Sequence, residues 1–139
     1  MSDYDKPLPH IESWGEKFWR IASEEHELSV ASCDDCDETF MYPKKFCENC
    51  GSDAITMERR SGPFSLYSWS HIENVPHPDF EDVVPYTMGV IEIEDSVRIL
   101  AQVETDDPYE LECDIDVDVY FDEVTDDIAI PKFIPVEEA

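Results

Sequence analysis

The sequence predicts a mainly β protein with a short N-terminal helical segment, a four-cysteine ribbon and a small C-terminal barrel or sandwich. Three observations carry this. Four cysteines stand as Cys33-x2-Cys36-x10-Cys47-x2-Cys50. Between Phe64 and Ile134 five short runs carry strand patterning, with the alternation of half-buried strands clearest in Phe64–Ile72 and Ile115–Phe121. Ile11, Trp14, Phe18 and Ile21 recur at spacings of three and four, which makes one apolar stripe on a helix.

Taken in order, residues 1–9 are polar, contain Pro7 and Pro9, and read as a mobile arm. The helical pattern follows from Ile11, with Glu12, Glu16, Lys17 and Arg20 beside the stripe and Glu24-Glu25-His26-Glu27 closing it. Gly15 costs a helix interior about 1 kcal/mol, so a break is expected there. The Trp14/Phe18/Trp19 stripe reads as packing surface rather than a cofactor site, because a helix this short needs something to pack on.

Residues 28–60 hold the cysteines between short strand-like pieces, Leu28-Ser29-Val30-Ala31 and Thr39-Phe40-Met41-Tyr42. Ser61-Gly62-Pro63 is a turn and a module boundary. The expected division is therefore 1–27 arm and helix, 28–60 ribbon, 61–139 β domain. In the first strand of that domain, strict alternation puts Phe64, Leu66, Ser68 and Ser70 on one face and Tyr67, Trp69 and His71 on the other. Tyr86–Ile93 turns through Glu94-Asp95-Ser96 into Val97–Val103, a hairpin. Ile115, Val117, Val119 and Phe121 alternate with an acidic outer face. The last run, Ile128–Ile134, carries Pro131 and belongs at an edge or bulge.

The chain has 139 residues, 42% hydrophobic, with 7 Phe, 6 Tyr and 3 Trp, enough for a packed core. No run of about 18 apolar residues is present, so no membrane span is expected. Met1-Ser2-Asp3-Tyr4-Asp5 has no basic or apolar start of a secretory signal, and a cytoplasmic location is expected. Asp plus Glu number 35 against 9 Lys plus Arg, a formal net charge of −26. The acids are spread through the chain and interleaved with core residues. That distribution points to a halophile protein, working where the Debye length is about 3 Å, more than to a single basic partner. The same balance speaks against general nucleic-acid binding, which relies on Lys and Arg at phosphates.

Two Cys-x2-Cys pairs are what tetrahedral zinc needs, each bending into a knuckle and the two closing a four-thiolate site. Gly51 suits the tight second knuckle, and Asp37 holds the equivalent place in the first. Rubredoxin-type iron uses similar pairs, but the ten-residue loop favours a ribbon. Disulfides need an oxidising compartment, and an iron–sulfur cluster fits less well. Four cysteines leave no open coordination position, so the zinc is structural. Cys113 stands alone and reads as a small apolar residue. His71 and His77 read as packed or solvated, and neither a phosphate loop nor a nucleophile elbow is present.

Lys44 and Lys45, between the knuckles, and Arg59 and Arg60, just past the ribbon, are four of nine basic residues. They suit either an anion site for phosphates or internal pairing with neighbours such as Glu48 and Glu58.

An aromatic N-terminal segment (Phe18-Trp19), four ribbon cysteines with Tyr42-Pro43 before the second pair, Ser61-Gly62, the strand Phe64–Trp69, Pro85-Tyr86 and a closing Ile130–Pro135 occur in this order. This resembles the zinc-ribbon plus OB-fold proteins catalogued as domain of unknown function 35, over roughly residues 10–136. The resemblance implies a rubredoxin-like zinc ribbon and a five-stranded OB barrel. It implies a non-catalytic subunit docking on a thiolase-fold enzyme, or on a related acyl-CoA hydratase or aldolase. In archaeal relatives such a protein bridges an acetoacetyl-CoA thiolase and a hydroxymethylglutaryl-CoA synthase. A CoA thioester could then meet Tyr67 and Trp69 through its pantetheine arm or adenine, with Lys44, Lys45, Arg59 and Arg60 at its phosphates. The competing functions are a nucleic-acid-binding ribbon/OB protein and a stand-alone CoA-binding or acyl-transfer protein. Asp37 for the usual knuckle Gly, and Cys113-Asp114 where many members have a Gly-containing turn, leave the subfamily and its partner open.

The charge makes one prediction. The thermal midpoint should rise between low and molar KCl, as screening relieves self-repulsion. A melt that does not improve with salt removes the halophile reading.

Overall fold

A computed structural model describes residues 5–138. The first four positions of the expected arm lie outside the described residues. In the remainder of the arm, Lys6 pairs with Asp82 at 3.3 Å and its side chain is only 14% exposed.

The elements are α1 (Glu16–Glu25), β1 (Leu28–Cys33), β2 (Thr39–Phe40), β3 (Ile55–Arg60), β4 (Phe64–Ile72), β5 (Tyr86–Glu94), β6 (Val97–Val103), β7 (Asp116–Glu123) and β8 (Ala129–Pro135). Single 3-10 turns follow β4, β6 and β8. β2, β1 and β3 form one antiparallel sheet in that order, and β4-β5-β6-β8-β7 close into a barrel, the OB-fold arrangement. β8 pairs with β7 along its length but with β6 only at Val103↔Phe133. Pro131, opposite Phe121, therefore sits where β8 is an edge, the position a residue without an N–H can occupy.

α1 begins at Glu16, later than the apolar stripe. Gly15 is the N-cap, and its N–H closes a turn onto Glu12 O at 2.9 Å. Trp14 consequently leaves the stripe and is 43% exposed, while Phe18, Ile21 and Ala22 are buried. The helix stops at His26, in the left-handed region at φ 54°, with its N–H on Ala22 O. α1 packs on β1 of the ribbon and on β7 and β8 of the barrel. One continuous core results, running from Phe18, Ile21, Leu28, Val30 and Met57 to Phe64, Leu66, Ile91, Val117 and Phe133.

Strict alternation fails in β4. The pairing with β5 shifts between Leu66 and Ser68, a β-bulge at Tyr67, and an inserted residue flips every later side chain. Phe64 and Leu66 face the core; after the bulge Trp69 takes over that side, packing on the core opposite Gly89. Ser68 and Ser70 thus do not share the face of Leu66, and Trp69 does not share that of Tyr67. Tyr67 is exposed and lies under the Arg98 guanidinium, 3.8 Å from its ring centre. β6 keeps its alternation, with Val97, Ile99, Ala101 and Val103 buried and Arg98 and Leu100 out.

Gly89 is the close approach inside the barrel. A Cβ there would lie 2.6 Å from Val103 Cγ2 and 3.0 Å from Leu66 Cδ1, both on buried side chains. Gly89→Ala should destabilise by about 1–3 kcal/mol, the range of core overpacking. Gly15→Ala, whose methyl meets nothing nearer than Glu12 O at 3.6 Å, should cost no more than about 1 kcal/mol, the preference of an N-cap for glycine over alanine. Denaturant midpoints at fixed molar KCl compare them.

Candidate metal centre and the clefts beside it

The metal centre grows out of the end of β1. Cys33 is the last residue of that strand, and the chain folds back so that Asp37 N donates to Cys33 O at 2.9 Å and Cys33 N to Glu38 O at 2.8 Å. The second knuckle repeats this, with Gly51 N on Cys47 O and Cys47 N on Ser52 O, both 2.8 Å. Asp37 has φ 61° and Gly51 φ 79°. The left-handed turn that glycine provides in one knuckle is therefore provided by aspartate in the other.

All four sulfurs lie within 4.8 Å of one another. Cys33–Cys50 and Cys36–Cys47 stand 3.6 Å apart, far beyond the roughly 2.05 Å of a disulfide. A tetrahedron with Zn–S bonds of about 2.3 Å places its sulfurs about 3.8 Å apart, so the donor set fits zinc. Cys33 and Cys47 are buried, Cys36 is half-buried and Cys50 is exposed.

Asn49 was not singled out by the spacing. Its side-chain amide donates to Cys36 Sγ and its backbone N–H to Cys47 Sγ, each at 3.4 Å. The Asn49 amide, followed by the Glu38 backbone N–H, holds the Cys36 thiol down to about 7. At Cys50 the Ser52 backbone N–H favours the thiolate, but the neighbouring sulfurs, Cys33 first, outweigh it and push the thiol up to about 12. Four sulfurs this close do not all ionise without a cation among them, which is the chemistry of a metal-organised module.

The structure separates the other candidate residues. Arg59 forks onto Glu25 with two 2.6 Å bonds and reaches Glu27, tying β3 to the end of α1. Arg59 in turn lowers the Glu25 carboxyl below its usual range. Arg60 pairs with Glu94, tying β3 to β5. Lys44 pairs with Glu48 and lies over the Phe40 ring, and Lys45 lies over Phe46. Lys44 and Lys45 are thus on the ribbon tip, Arg59 and Arg60 at its junction with the barrel, and Tyr67 and Trp69 on opposite sides of β4. His71 Nδ1 is 3.5 Å from Thr87 Oγ1, His77 Nδ1 accepts from Asp79 N–H in a turn, and Cys113 is exposed.

Two clefts adjoin the ribbon. The larger, about 950 Å³, lies between α1, the ribbon tip at Met41–Pro43 and the outer face of β5, β6 and β8. The smaller, about 450 Å³, lies between Trp14, Lys17, Lys44, Lys45 and the start of β3. No helix among the described residues is long and apolar enough to cross a membrane.

Two family models match in tandem: the rubredoxin-like zinc ribbon domain of ChsH2 over residues 22–56 and its C-terminal OB-fold domain over residues 59–122. A DUF35 domain-containing scaffold protein of Methanothermobacter thermautotrophicus is 27% identical over 110 residues, 78% of this chain and 82% of the relative. A probable enoyl-CoA hydratase alpha subunit of Thermomonospora curvata is 26% identical over 96% of this chain, which spans only 42% of that relative. The solved structure of the Ltp2-ChsH2(DUF35) aldolase contains a chain that superimposes with a TM-score of 0.77 at 25% identity, covering 92% of this chain and 98% of that one. A DUF35 protein of Sulfolobus solfataricus, TM-score 0.60 at 12% identity over 90% and 87% of the two chains, shares the fold.

Purified protein should hold one zinc per chain, and Cys36→Ser should lose it together with the ribbon's protection from proteolysis. Asn49→Ala removes the donor that favours the Cys36 thiolate. The thiol pKa then rises, protons compete better, and zinc should leave at a higher pH, with affinity down roughly tenfold or more. Metal analysis across a pH series reads both, and Cys113→Ser should match wild type.

Proposed function

This chain belongs to the DUF35 family of zinc-ribbon plus OB-fold proteins, and we propose that it serves as a non-catalytic subunit of an acyl-CoA enzyme. The observation that carries this is the two-way match to the ChsH2(DUF35) chain of an aldolase structure, nearly complete on both sides. Relatives named scaffold proteins support the absence of its own catalysis. A relative named as a hydratase subunit supports the acyl-CoA setting.

The chemistry agrees. A zinc held by four thiolates has no position for substrate or an activated water. His71 contacts Thr87 and Tyr109, His77 closes its own turn, and Cys113 has no histidine partner among the described residues. The ribbon, over residues 28–60, and the barrel, from residue 61 on, then together present the surface that meets the enzyme. The partner we favour is a thiolase-fold enzyme of the acetoacetyl-CoA thiolase or hydroxymethylglutaryl-CoA synthase type, to which this subunit helps hold or pass the acyl-CoA.

Affinity purification of the intact protein from its native host in molar KCl tests the reading. An acyl-CoA enzyme of thiolase fold should co-purify in fixed stoichiometry, and the isolated chain should not turn over acyl-CoA substrates. Recovery of the chain without any acyl-CoA enzyme, or turnover by the chain alone, would count decisively against it.

A further inference from the structure

The chain has nine Lys and Arg against 35 Asp and Glu, and where those nine stand is not random. All four arginines are paired, Arg20 with Glu16, Arg59 with Glu25, Arg60 with Glu94 and Arg98 with Glu92. None lines either cleft, whereas all five lysines do. Lys6 and Lys132 wall the larger, and Lys17, Lys44 and Lys45 the smaller. Lys6 is paired with Asp82, Lys132 with Asp122 and Lys44 with Glu48. Lys17 and Lys45 alone have no carboxylate within 4.0 Å among the described residues, and both line the smaller cleft, where Asp53 is the one acidic lining residue. In a chain where cations have nearly four carboxylates each to choose from, two free ammonium groups at one spot mark the place where an outside anion is accepted.

The apolar surface converges on the same face. Leu8, Trp14, Tyr42 and Leu100, each more than 40% exposed, line the larger cleft, and the exposed Phe46 carries Lys45 over its ring. Trp14 walls both clefts, so apolar groove and lysine shelf are continuous. Tyr42 reaches from the ribbon tip to accept the Leu100 N–H at 2.6 Å, covering an edge group of β6 and fixing the groove's shape. Trp and Tyr at a well-formed depression are the residue types that dominate binding energy at interfaces.

We propose that this face, the groove of Trp14, Tyr42 and Leu100 with the Lys17/Lys45 shelf, is where the acyl-CoA enzyme subunit docks, through a segment with apolar side chains flanked by carboxylates. The inference rests on the subunit role proposed above and adds the surface and the chemistry of its partner. Charge complementarity selects the occupant. A partner bearing carboxylates meets repulsion over most of a surface at −26 and attraction at the Lys17/Lys45 shelf, while Glu12, Glu104 and Asp122 beside the groove confine it to that end. In molar salt, with a Debye length of about 3 Å, only charges in contact matter. The lysines therefore set register in the docked complex, while the aromatic groove supplies the buried area.

The test uses the full chain as bait in native-host extract at molar KCl, comparing wild type with Trp14→Ala, the double variant Lys17→Glu/Lys45→Glu, and Tyr109→Ser, an exposed site away from both clefts. Zinc content and denaturation midpoint verify that each variant is folded. Wild type and Tyr109→Ser should retain the same acyl-CoA enzyme, identified by mass spectrometry, and the two face variants should hold it at least tenfold more weakly. Carbodiimide, which joins amines to carboxylates in direct contact, should link Lys17 or Lys45 to Asp or Glu of the partner. Folded face variants that keep the enzyme as well as wild type overturn the assignment and leave the subunit role intact. So does a dimer of this chain that the same substitutions dissolve. A wild-type bait that retains no acyl-CoA enzyme overturns both readings.

Discussion

Strand β1 joins the metal to everything else. Leu28, Val30 and Ala31 are fully buried in the core shared by helix, ribbon and barrel, and two residues after Ala31 the same strand ends in Cys33. The geometry of the thiolate site is therefore transmitted to the core by a stretch of six residues. The second pair lies on no strand, and its knuckle is tied to the first by the Asn49 amide on Cys36 Sγ and by Asp34 N–H on Ala54 O at 2.8 Å. β3, which leaves that knuckle, pairs with β1 over its whole length and delivers the chain to the barrel. Without a cation among them the four sulfurs hold protons instead of charge, and the ribbon lacks the bonds by which a metal organises such a module.

The opposing constraint is charge. At a net −26, self-repulsion works against any compact state. The four arginines answer it at chosen places. Arg59 and Arg60 stand side by side at the end of β3 and reach in different directions, one to α1 and one to β5. They pin the ribbon to its two neighbours at the point where the chain passes from one module to the other. The Arg59 pair is exposed and the Arg60 pair only half-buried, and their individual contribution is small. Their position makes them orienting contacts rather than a large source of stability. Glu25, whose carboxyl is lowered by Arg59, adds stability above the ordinary carboxylate range. That contribution is lost as pH falls through the lowered folded value, so the junction loosens in acid.

Both constraints leave the chemistry of this protein outside its metal. A closed four-thiolate site, scattered histidines and a barrel filled by Phe64, Leu66, Ile91, Val117 and Phe133 describe a rigid body. What it offers other molecules is surface, and that surface is sharply divided. Most of it is acidic, and one face combines exposed aromatics with lysines. Such an asymmetry suits the proposed subunit role, because a uniformly acidic surface has no preferred side.

The sequence by itself determined the metal ligands, the mainly β class and the place of each barrel strand, because these rest on local signals: cysteine spacing, period-2 alternation and turn residues. The edge position of Pro131 followed from its missing N–H. Faces were another matter. Alternation misplaced Ser68, Ser70 and Trp69, since a bulge at Tyr67 is decided by pairing with β5 and not by β4 itself. The helical stripe overran to Ile11 and Trp14, because a Gly15 N-cap and its turn moved Trp14 to the surface. Lys44, Lys45, Arg59 and Arg60 formed one basic group in the sequence. Only the tertiary structure parted them, giving the arginines to carboxylates 34 residues away and Lys45 to a cleft shared with Lys17. Lys44 finds Glu48 and Arg60 comes within 3.9 Å of Glu58, the neighbours the sequence offered, whereas the bonds of Arg59 to Glu25 and Arg60 to Glu94 are set by long-range packing that no local pattern records.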